Sequence, residues 1–313
     1  MKLIVKNNFG EEKIALLNQN NKVERFFIYR PERLNLGEEV TGIIRKKDTQ
    51  LNGYFIETQK GINVFVPSKE LYAQGTHVCV RITKEARRGK DANGIFIPSC
   101  KKNDSYSIWL NSQYNIPIEN TWDELNLNEA LENALQPDII FSDGAVIHIE
   151  RTSACWTIDV DSGSSQKSFH ELNIAAADII AHEIQLRCLG GIILIDFIGL
   201  KHKNEQYKLA QHLESSLQSD SLSSPLGWTK SKLFEIKRTR TYAPLIDVFL
   251  DKNGESNLLT TVYKISEIFT KLKKIPLVIA HPCVIELLRQ KLNNRAQFKA
   301  DISKSIHHFE ITE

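Results

Sequence analysis

Between Cys155 and Phe197 the chain reads as strand, helix, strand with almost no residues left over, and no other stretch restricts the fold as tightly. "CWTIDVD" is rich in β-branched and aromatic residues, as strands are. In "SFHELNIAAADIIAHEIQLRCLGG" the residues Leu172, Ala176, Ile180 and Ile184 recur every fourth position, Arg187 sits in the last turn, and Gly190-Gly191 supplies a stop. "IILIDF" follows at once. A βαβ unit of this kind brings two parallel strands together through a right-handed crossover, so equivalent strand ends lie side by side at one sheet edge. "AVIHIER" precedes the first strand as its antiparallel hairpin partner.

Both strands end by presenting aspartate: Asp159 and Asp161 in the first, Asp196 in the second. Desolvating a carboxylate is costly unless it is paired or holds a metal. Strand-end aspartates often cap a helix or sit in a turn, and Asp161, before Ser162 and Gly163, suits a turn. Asp159 and Asp196 as neighbours suit a divalent cation better. Mg²⁺ takes few protein ligands, keeps several waters and completes its shell with substrate phosphate. It polarises a phosphodiester and activates a bound water. Arg238 or Arg240, after "FEIK", is expected to offset the charge that develops on the phosphate.

Upstream, "KLIVKN", "KIALLN" and "VERFFIYR" read as a three-strand meander. After Pro31, "EEVTGIIRKK", "LNGYFIETQ", "GINVFVPSKEL", "GTHVCVRITKEAR" and "GIFIPS" give the strand count and spacing of a small OB-type barrel. Phe55 and Phe65, one hairpin apart, are placed to share a face on which bases stack, although isolated Phe residues are more often core. "RITKEARRGK" collects Arg81, Lys84, Arg87, Arg88 and Lys90 around one loop, which reads either as a solvated charged loop or, beside the aromatics, as an RNA-binding edge. The segment from Lys101 to Asp143 is polar around a helical "TWDELNLNEALENAL", and "ESSLQSDSLSSP" reads as a serine-rich loop. From Leu258 onward the pattern is helix, strand, helix, strand. His281, His307 and His308 lack ligand-spaced partners and are read as structural.

Composition narrows the class. With 40 Lys and Arg against 38 Asp and Glu, no global field draws the chain onto nucleic acid, so any such site is a local patch. The five cysteines are scattered and never spaced as CxxC, which argues against disulfides and against a zinc site and favours a reducing cytoplasm. No apolar run has the length of a signal peptide core or a membrane span.

The order of barrel, "IERTSACWTIDVDSG", "NIAAADIIAHEIQLRCLGGIILIDFIGL" and "LFEIKRTR" resembles the bacterial ribonuclease E/G family, continuously over residues 145 to 240 and more weakly from Val23 to Pro98 and over the C-terminal unit. The resemblance implies a mixed α+β and α/β multidomain chain. Its parts would be ribonuclease-H-like segments (residues 1–31 and 101–144), an inserted OB-fold RNA-binding barrel (32–100), a deoxyribonuclease-I-like catalytic subdomain (145–250) and a small C-terminal α/β unit (251–313). It implies an endoribonuclease that cuts single-stranded RNA with Mg²⁺, with Asp159, Asp161, Asp196 and Arg238 as the catalytic set: Asp159 and Asp196 as metal ligands, Asp161 where an amide would meet the scissile phosphate, and Arg238 as a basic residue. Phe55, Phe65 and Lys90 match positions that contact RNA, and Arg87, Arg88 and Arg240 add cations to the RNA-binding set. Four departures stand out. Asp161 replaces an Asn, and Gly199 replaces a second Asp. The cysteine pair that shares zinc between protomers is missing, so the expectation is a zinc-free monomer or a dimer joined by another surface. Most of the insertion that senses a 5′-monophosphate is also missing, leaving a short connection with Lys101 and Lys102. RNA processing or decay, with ribosomal RNA maturation among its forms, is the process expected. The competing readings are an RNA-binding member of the family with weak or lost catalysis, acting in ribosomal RNA maturation, and a small-molecule phosphohydrolase, which leaves the barrel without a task.

Overall fold

The structure is a computed structural model that describes residues 1–101, 105–272, 274–292 and 295–312. Strands β1 (Lys2–Asn8), β2 (Glu11–Leu17) and β3 (Val23–Tyr29) form the expected meander. Then come β4 (Glu39–Asp48), β5 (Gly53–Thr58), β6 (Asn63–Pro67), β7 (His77–Lys84) and β8 (Ala92–Ile97). Helix α1 (Tyr106–Tyr114), β9 (Ile118–Glu119), α2 (Leu127–Asn133) and β10 (Asp138–Ile140) occupy the polar middle segment, of which only one helix was expected. After them lie β11 (Val146–Arg151), β12 (Cys155–Asp161), α3 (Phe169–Leu186), β13 (Gly191–Asp196), α4 (Lys203–Ser216), β14 (Ser223–Trp228) and β15 (Phe234–Arg238). The C-terminal stretch holds α5 (Leu245–Phe249), α6 (Leu258–Phe269), β16 (Leu277–Ala280), α7 (Pro282–Leu292), β17 (Gln297–Ala300) and β18 (Phe309–Thr312). A four-stranded sheet has the order β3-β2-β1-β9, with β9 parallel to β1. Two compact units divide the chain: Met1–Lys2, Ala15–Phe26 and Thr121–Pro244 in one, Leu3–Ile14, Phe27–Asn120 and Leu245–Glu313 in the other.

In the first unit a six-stranded sheet runs β10-β11-β12-β13-β15-β14. β12 and β13 are its parallel pair and α3 is their crossover. Alternate residues Ile147, Ile149, Ile158, Val160, Ile193, Ile195, Phe234 and Ile236 are buried, as are Leu172, Ala176, Ile180 and Ile184 along α3, and these two sets make the core of the unit. Burying each Ile, Val, Leu or Phe side chain of these sets contributes about 1.5–3 kcal/mol relative to leaving it in water. The start of α3 is fixed by a reciprocal cap: Ser168 Oγ accepts from Glu171 N, and the Glu171 carboxylate accepts from Ser168 N. Its end differs from the sequence reading. Arg187 is the last cap residue and Cys188, at φ +56°, takes the left-handed turn before the two glycines are reached. The serine-rich segment is also not all loop. Ser223–Trp228 pairs with β15 as an edge strand whose register shifts between Pro225 and Gly227, the position where an edge tolerates proline.

In the second unit β4-β5-β6-β8-β7 close into a five-stranded barrel, filled by Leu34, Val40, Ile44, Tyr54, Ile56, Val64, Val66, Val80, Ile82 and Ala92. Closure removes the open sheet edges that would otherwise pair with other chains. Elsewhere in this unit Arg30 is fully buried. It donates through Nε to Glu11 (2.7 Å) and through Nη1 to the carbonyl of Val248 (2.7 Å) and to Thr260 Oγ1 (3.1 Å). The rings of Phe249 and Tyr263 cover its guanidinium. A buried charge is tolerated only when satisfied in this way. The C-terminal helices α6 and α7 pack with a three-stranded sheet ordered β17-β16-β18, one strand more than the sequence pattern suggested. Among the described residues no helix is long and apolar enough to cross a membrane, and all five cysteines are free thiols.

Candidate active site

The parallel pairing of β12 and β13 sets Asp159 directly opposite Asp196. The antiparallel pairings on the other side continue the row, with His148 opposite Asp159 and Asp138 opposite His148. Residues directly opposite one another in a sheet point to the same face. Asp138, His148, Asp159 and Asp196 therefore form one line across four strands, about 14 Å long at the usual strand spacing. Both Asp159 and Asp196 are exposed, and no hydrogen bond or ion pair among the described residues engages either carboxylate. Partial burial and the neighbouring Asp159 charge push the Asp196 carboxyl above its usual range. Such a site gains by binding a cation.

His148 and Asp138 were not singled out in the sequence. His148 Nδ1 lies 2.7 Å from Asp138 Oδ1, and this hydrogen bond, with the charges of Asp138, Asp159 and Asp161, raises the imidazole pKa. A carboxylate bound to Nδ1 fixes the ring and leaves Nε2 as its free nitrogen, the arrangement found at many metal and catalytic histidines. The available signal was alternation: His148 occupies a position in "VIHIER" whose neighbours Ile147 and Ile149 are buried, so it had to face the same side as Asp159.

Asp161, two residues beyond Asp159, is exposed, and its Oδ1 accepts from Gly163 N at 2.9 Å. The turn anticipated from Ser162 and Gly163 is present, and one carboxylate oxygen is spent on it. Gly199 has a local cause. Its φ is +63°, and a Cβ there would lie 2.4 Å from the Phe169 ring. An aspartate at this position would meet both backbone strain and an aromatic collision.

Arg238 does not stand where the sequence suggested. β15 runs antiparallel to β13, so Phe234 is level with Ile195 and Arg238 with Gly191, at the opposite end of β13 from Asp196. Five residues of strand separate the two levels, about 17 Å. Arg238 is also buried. It donates Nε and Nη2 to the two oxygens of Asp220 (2.7 and 3.3 Å) and Nη1 to the carbonyl of Leu189 (2.9 Å). Burial alone would push the Asp220 carboxyl up, but Arg238, Ser223 and Arg25 hold it below its usual range. Arg240 donates Nε to the Gly190 carbonyl (3.1 Å), at that same far end. Both arginines are taken up by local backbone and side-chain partners, because strand direction, which composition cannot reveal, carries them away from the acidic row.

In the other unit Phe55 and Phe65 are cross-strand partners with ring centroids 5.3 Å apart. Their neighbours Tyr54, Ile56, Val64 and Val66 fill the barrel, so the two rings lie on its outer face. Gly53 makes room for this: a Cβ there would be 2.5 Å from the Phe65 ring. Arg87 and Lys90 close a tight turn through paired backbone hydrogen bonds. Arg88 donates Nη2 to the Asp251 carbonyl (2.8 Å) and its backbone N to Asp247 (3.3 Å), which ties it to the segment around α5 instead of leaving it as a free cation of the loop. Lys101 donates its backbone N to Glu39 (2.7 Å), and Lys102 lies outside the described residues.

The sequence profile of the ribonuclease E/G family matches residues 74–241. The chain is 33% identical over 138 residues to ribonuclease G of Haemophilus influenzae, which covers 42% of this chain and 28% of that protein. It is 24% identical over 205 residues to ribonuclease G of Escherichia coli strain K12, covering 59% and 42%. Ribonuclease E of a Synechocystis species is 33% identical over 130 residues, covering 39% and 19%. The matched region spans less than half the length of each of these relatives.

Two expectations test this geometry. Replacing Arg238 by Ala leaves Asp220 charged and buried without its main partner, so denaturant unfolding should lose about 3–5 kcal/mol; full stability would mean the pair is not formed. In metal-free buffer, the His148 imidazole should titrate above the usual value of about 6.5 by NMR, and Asp138→Asn should bring it down. A raised folded pKa means that the stabilisation from this pair is complete below that ordinary value and is lost as pH rises through the folded one.

Proposed function

The chain belongs to the ribonuclease E/G family, and from that premise we propose that it is an endoribonuclease whose scissile phosphate sits over Asp159 and Asp196. The observation that carries this reading is the pairing of these two carboxylates, exposed and without partners, at adjacent ends of parallel strands. In this assignment the barrel is the OB-fold RNA-binding domain and the β10–β15 sheet with α3 and α4 is the deoxyribonuclease-I-like catalytic part. The meander sheet with the middle segment is the ribonuclease-H-like part, and the C-terminal helices and sheet form a small α/β unit.

The acidic pair suits Mg²⁺. Among the described residues no cluster of three or more His, Cys, Asp or Glu converges for a metal. The paired carboxylates of Asp159 and Asp196 are oxygen donors of one hard chemical type, which suits a cation that keeps most of its waters. When bound, the ion supplies Lewis-acid polarisation of the phosphate and an activated water. Asp159 and Asp196 hold and orient it. Asp138 fixes the His148 ring in the same row, beside the position of the substrate. Asp161 holds the turn that follows β12, and its charge replaces the neutral amide of relatives, which raises the demand for a cation before an anionic backbone can approach. Phe55 and Phe65 offer ring faces to unstacked bases, and Lys90 and Arg87 offer positive charge at the turn between β7 and β8.

A second reading, an RNA-binding member of the family with weakened catalysis, is favoured by Asp161 and Gly199, which alter two polar positions of the family pattern next to the acidic pair.

Purified protein with a labelled single-stranded RNA should cleave only with Mg²⁺. Asp159→Asn and Asp196→Asn should each abolish cleavage while RNA binding persists or tightens, since a neutral amide gives up metal affinity and removes repulsion toward phosphate. Cleavage at wild-type rate by either variant would sink the metal assignment, and binding without cleavage by the wild type would select the second reading. The 5′ end should matter little, because the connection between barrel and catalytic sheet offers no Arg cluster to grip a terminal phosphate. Cleavage rates on matched RNAs with 5′-monophosphate, 5′-triphosphate or 5′-hydroxyl ends should agree within a few fold, and a strong monophosphate preference at physiological salt would contradict this.

A further inference from the structure

The second compact unit holds a cavity of about 240 Å³ that lies apart from both the acidic row and the aromatic face of the barrel. Ile62, Ala86, Val248, Leu258 and Leu259 give it apolar walls, and Arg33 and Asn257 are its polar members. Its size falls a little under the ~300–1,000 Å³ of pockets that take drug-sized ligands, so an occupant must be small.

Two sets of hydrogen-bond donors reach this space without acceptors of their own. The first is the start of α6. Asn257 is its N-cap: the side-chain oxygen accepts from Thr260 N (3.0 Å), the carbonyl accepts from Thr261 N (3.0 Å), and Nδ2 donates to the Val248 carbonyl (2.8 Å). The N–H groups of Leu258 and Leu259, which come between, have no acceptor among the described residues, and both residues line the cavity. They also mark the positive end of the helix dipole. The second set is on Arg33. Among the described residues its guanidinium has one acceptor, the Asp247 carbonyl, at a long 3.4 Å from Nη1, which leaves Nε and Nη2 unused. Burial, joined by the nearby Arg30 charge, pushes the Arg33 pKa down against the opposing pull of Glu85 and Asp247. Those two carboxylates are engaged elsewhere: Glu85 Oε1 accepts from Leu36 N (3.0 Å) and Asp247 Oδ2 from Arg88 N (3.3 Å). Spare donors on an enclosed guanidinium are costly unless something accepts from them.

We propose that this cavity binds a small monocarboxylate with an apolar body, its two oxygens held by the Arg33 guanidinium and the Leu258 and Leu259 N–H groups and its body set against Ile62, Ala86 and Val248. Charge complementarity selects the occupant. A planar guanidinium fork beside two adjacent backbone donors matches the two oxygens of a carboxylate. The charges of Glu85 and Asp247 oppose a second negative charge on the ligand, so a monoanion is favoured over a phosphate dianion. The inference goes beyond the endoribonuclease reading and does not depend on it, because none of these residues belongs to the acidic pair or to the RNA-facing set.

The test is an NMR titration of the full chain, labelled with ¹⁵N-leucine, with benzoate as the probe. The amide signals of Leu258 and Leu259 are identified from Leu258→Ile and Leu259→Ile. Both should move downfield and saturate, with half-saturation at about 1–10 mM for so small a ligand. Benzamide, the neutral isostere, should bind about tenfold more weakly or not at all, and phenyl phosphate should bind more weakly than benzoate. Arg33→Gln should lower benzoate affinity about tenfold or more. Ala86→Phe, which fills the hollow and leaves the arginine in place, should abolish binding. Thermal melting of each variant at the wild-type midpoint shows that the fold is kept. The absence of a saturable shift in the wild type, equal shifts with benzamide, or tighter binding of phenyl phosphate would each overturn the proposal. Unchanged benzoate affinity in either folded variant would do the same. If Arg33→Gln melts early, Ala86→Phe decides alone, and binding retained by it rejects the site. RNA cleavage is not part of the readout, so failure of the nuclease reading leaves this result standing, and the reverse holds equally.

Discussion

The register between β12 and β13 is the constraint on which the candidate site depends. A parallel pair cannot be joined by a tight turn, so α3 must bridge it, and the buried stripe of that helix fixes which face of each strand is covered. Once Ile158 and Ile195 are committed to the core, Asp159 and Asp196 are committed to the open face at the same level. A slip of β13 by one residue against β12 would exchange the two faces of β13, burying Asp196 and exposing Ile193 and Ile195, an exchange far costlier than any gain at the site. The core therefore holds two like charges together in the absence of a cation, and partial burial together with that repulsion raises the Asp196 carboxyl.

The same register separates the acids from the arginines that follow them. Arg238 faces the covered side, where a lone charge would be intolerable, and Asp220 and the Leu189 carbonyl satisfy it. The sheet thus has a structural cation at one end and a row of exposed acids at the other. His148 is the basic group that the fold does bring to the acids, and Asp138 holds it there. At Gly199, beside this row, a left-handed backbone and the Phe169 ring leave no room for a side chain, whereas the turn that Asp161 closes through Gly163 N would be served equally by an asparagine oxygen.

The barrel works on a related principle with a different device. Its interior alternation is regular enough to fill the core, and this puts Phe55 and Phe65 outside. The irregularities lie on the outer surface, where one extra residue in each of two strands changes which side chain stands beside the aromatic pair. A bulge costs a local break in the hydrogen-bond ladder and gives a lasting choice of neighbour. Arg45 and Thr83 each recover part of that cost through a hydrogen bond of their own.

Local patterns in the chain were enough to place the meander, the five barrel strands, the βαβ unit and the pairing of Asp159 with Asp196. Periodicity and strand ends are short-range properties, and a parallel crossover leaves little freedom in how its ends meet. Three things depended on tertiary structure. The direction of β15 decided that Arg238 is a buried partner of Asp220 and not a neighbour of the acids, because a strand's orientation is set by the chain's return path and not by its own residues. The addition of β10 at the sheet edge brought Asp138 to His148, two residues whose meeting depends on a strand only three residues long. The bulges in β4 and β7 decided which cations flank the rings, since a register shift leaves no mark in composition and exists only when two strands pair.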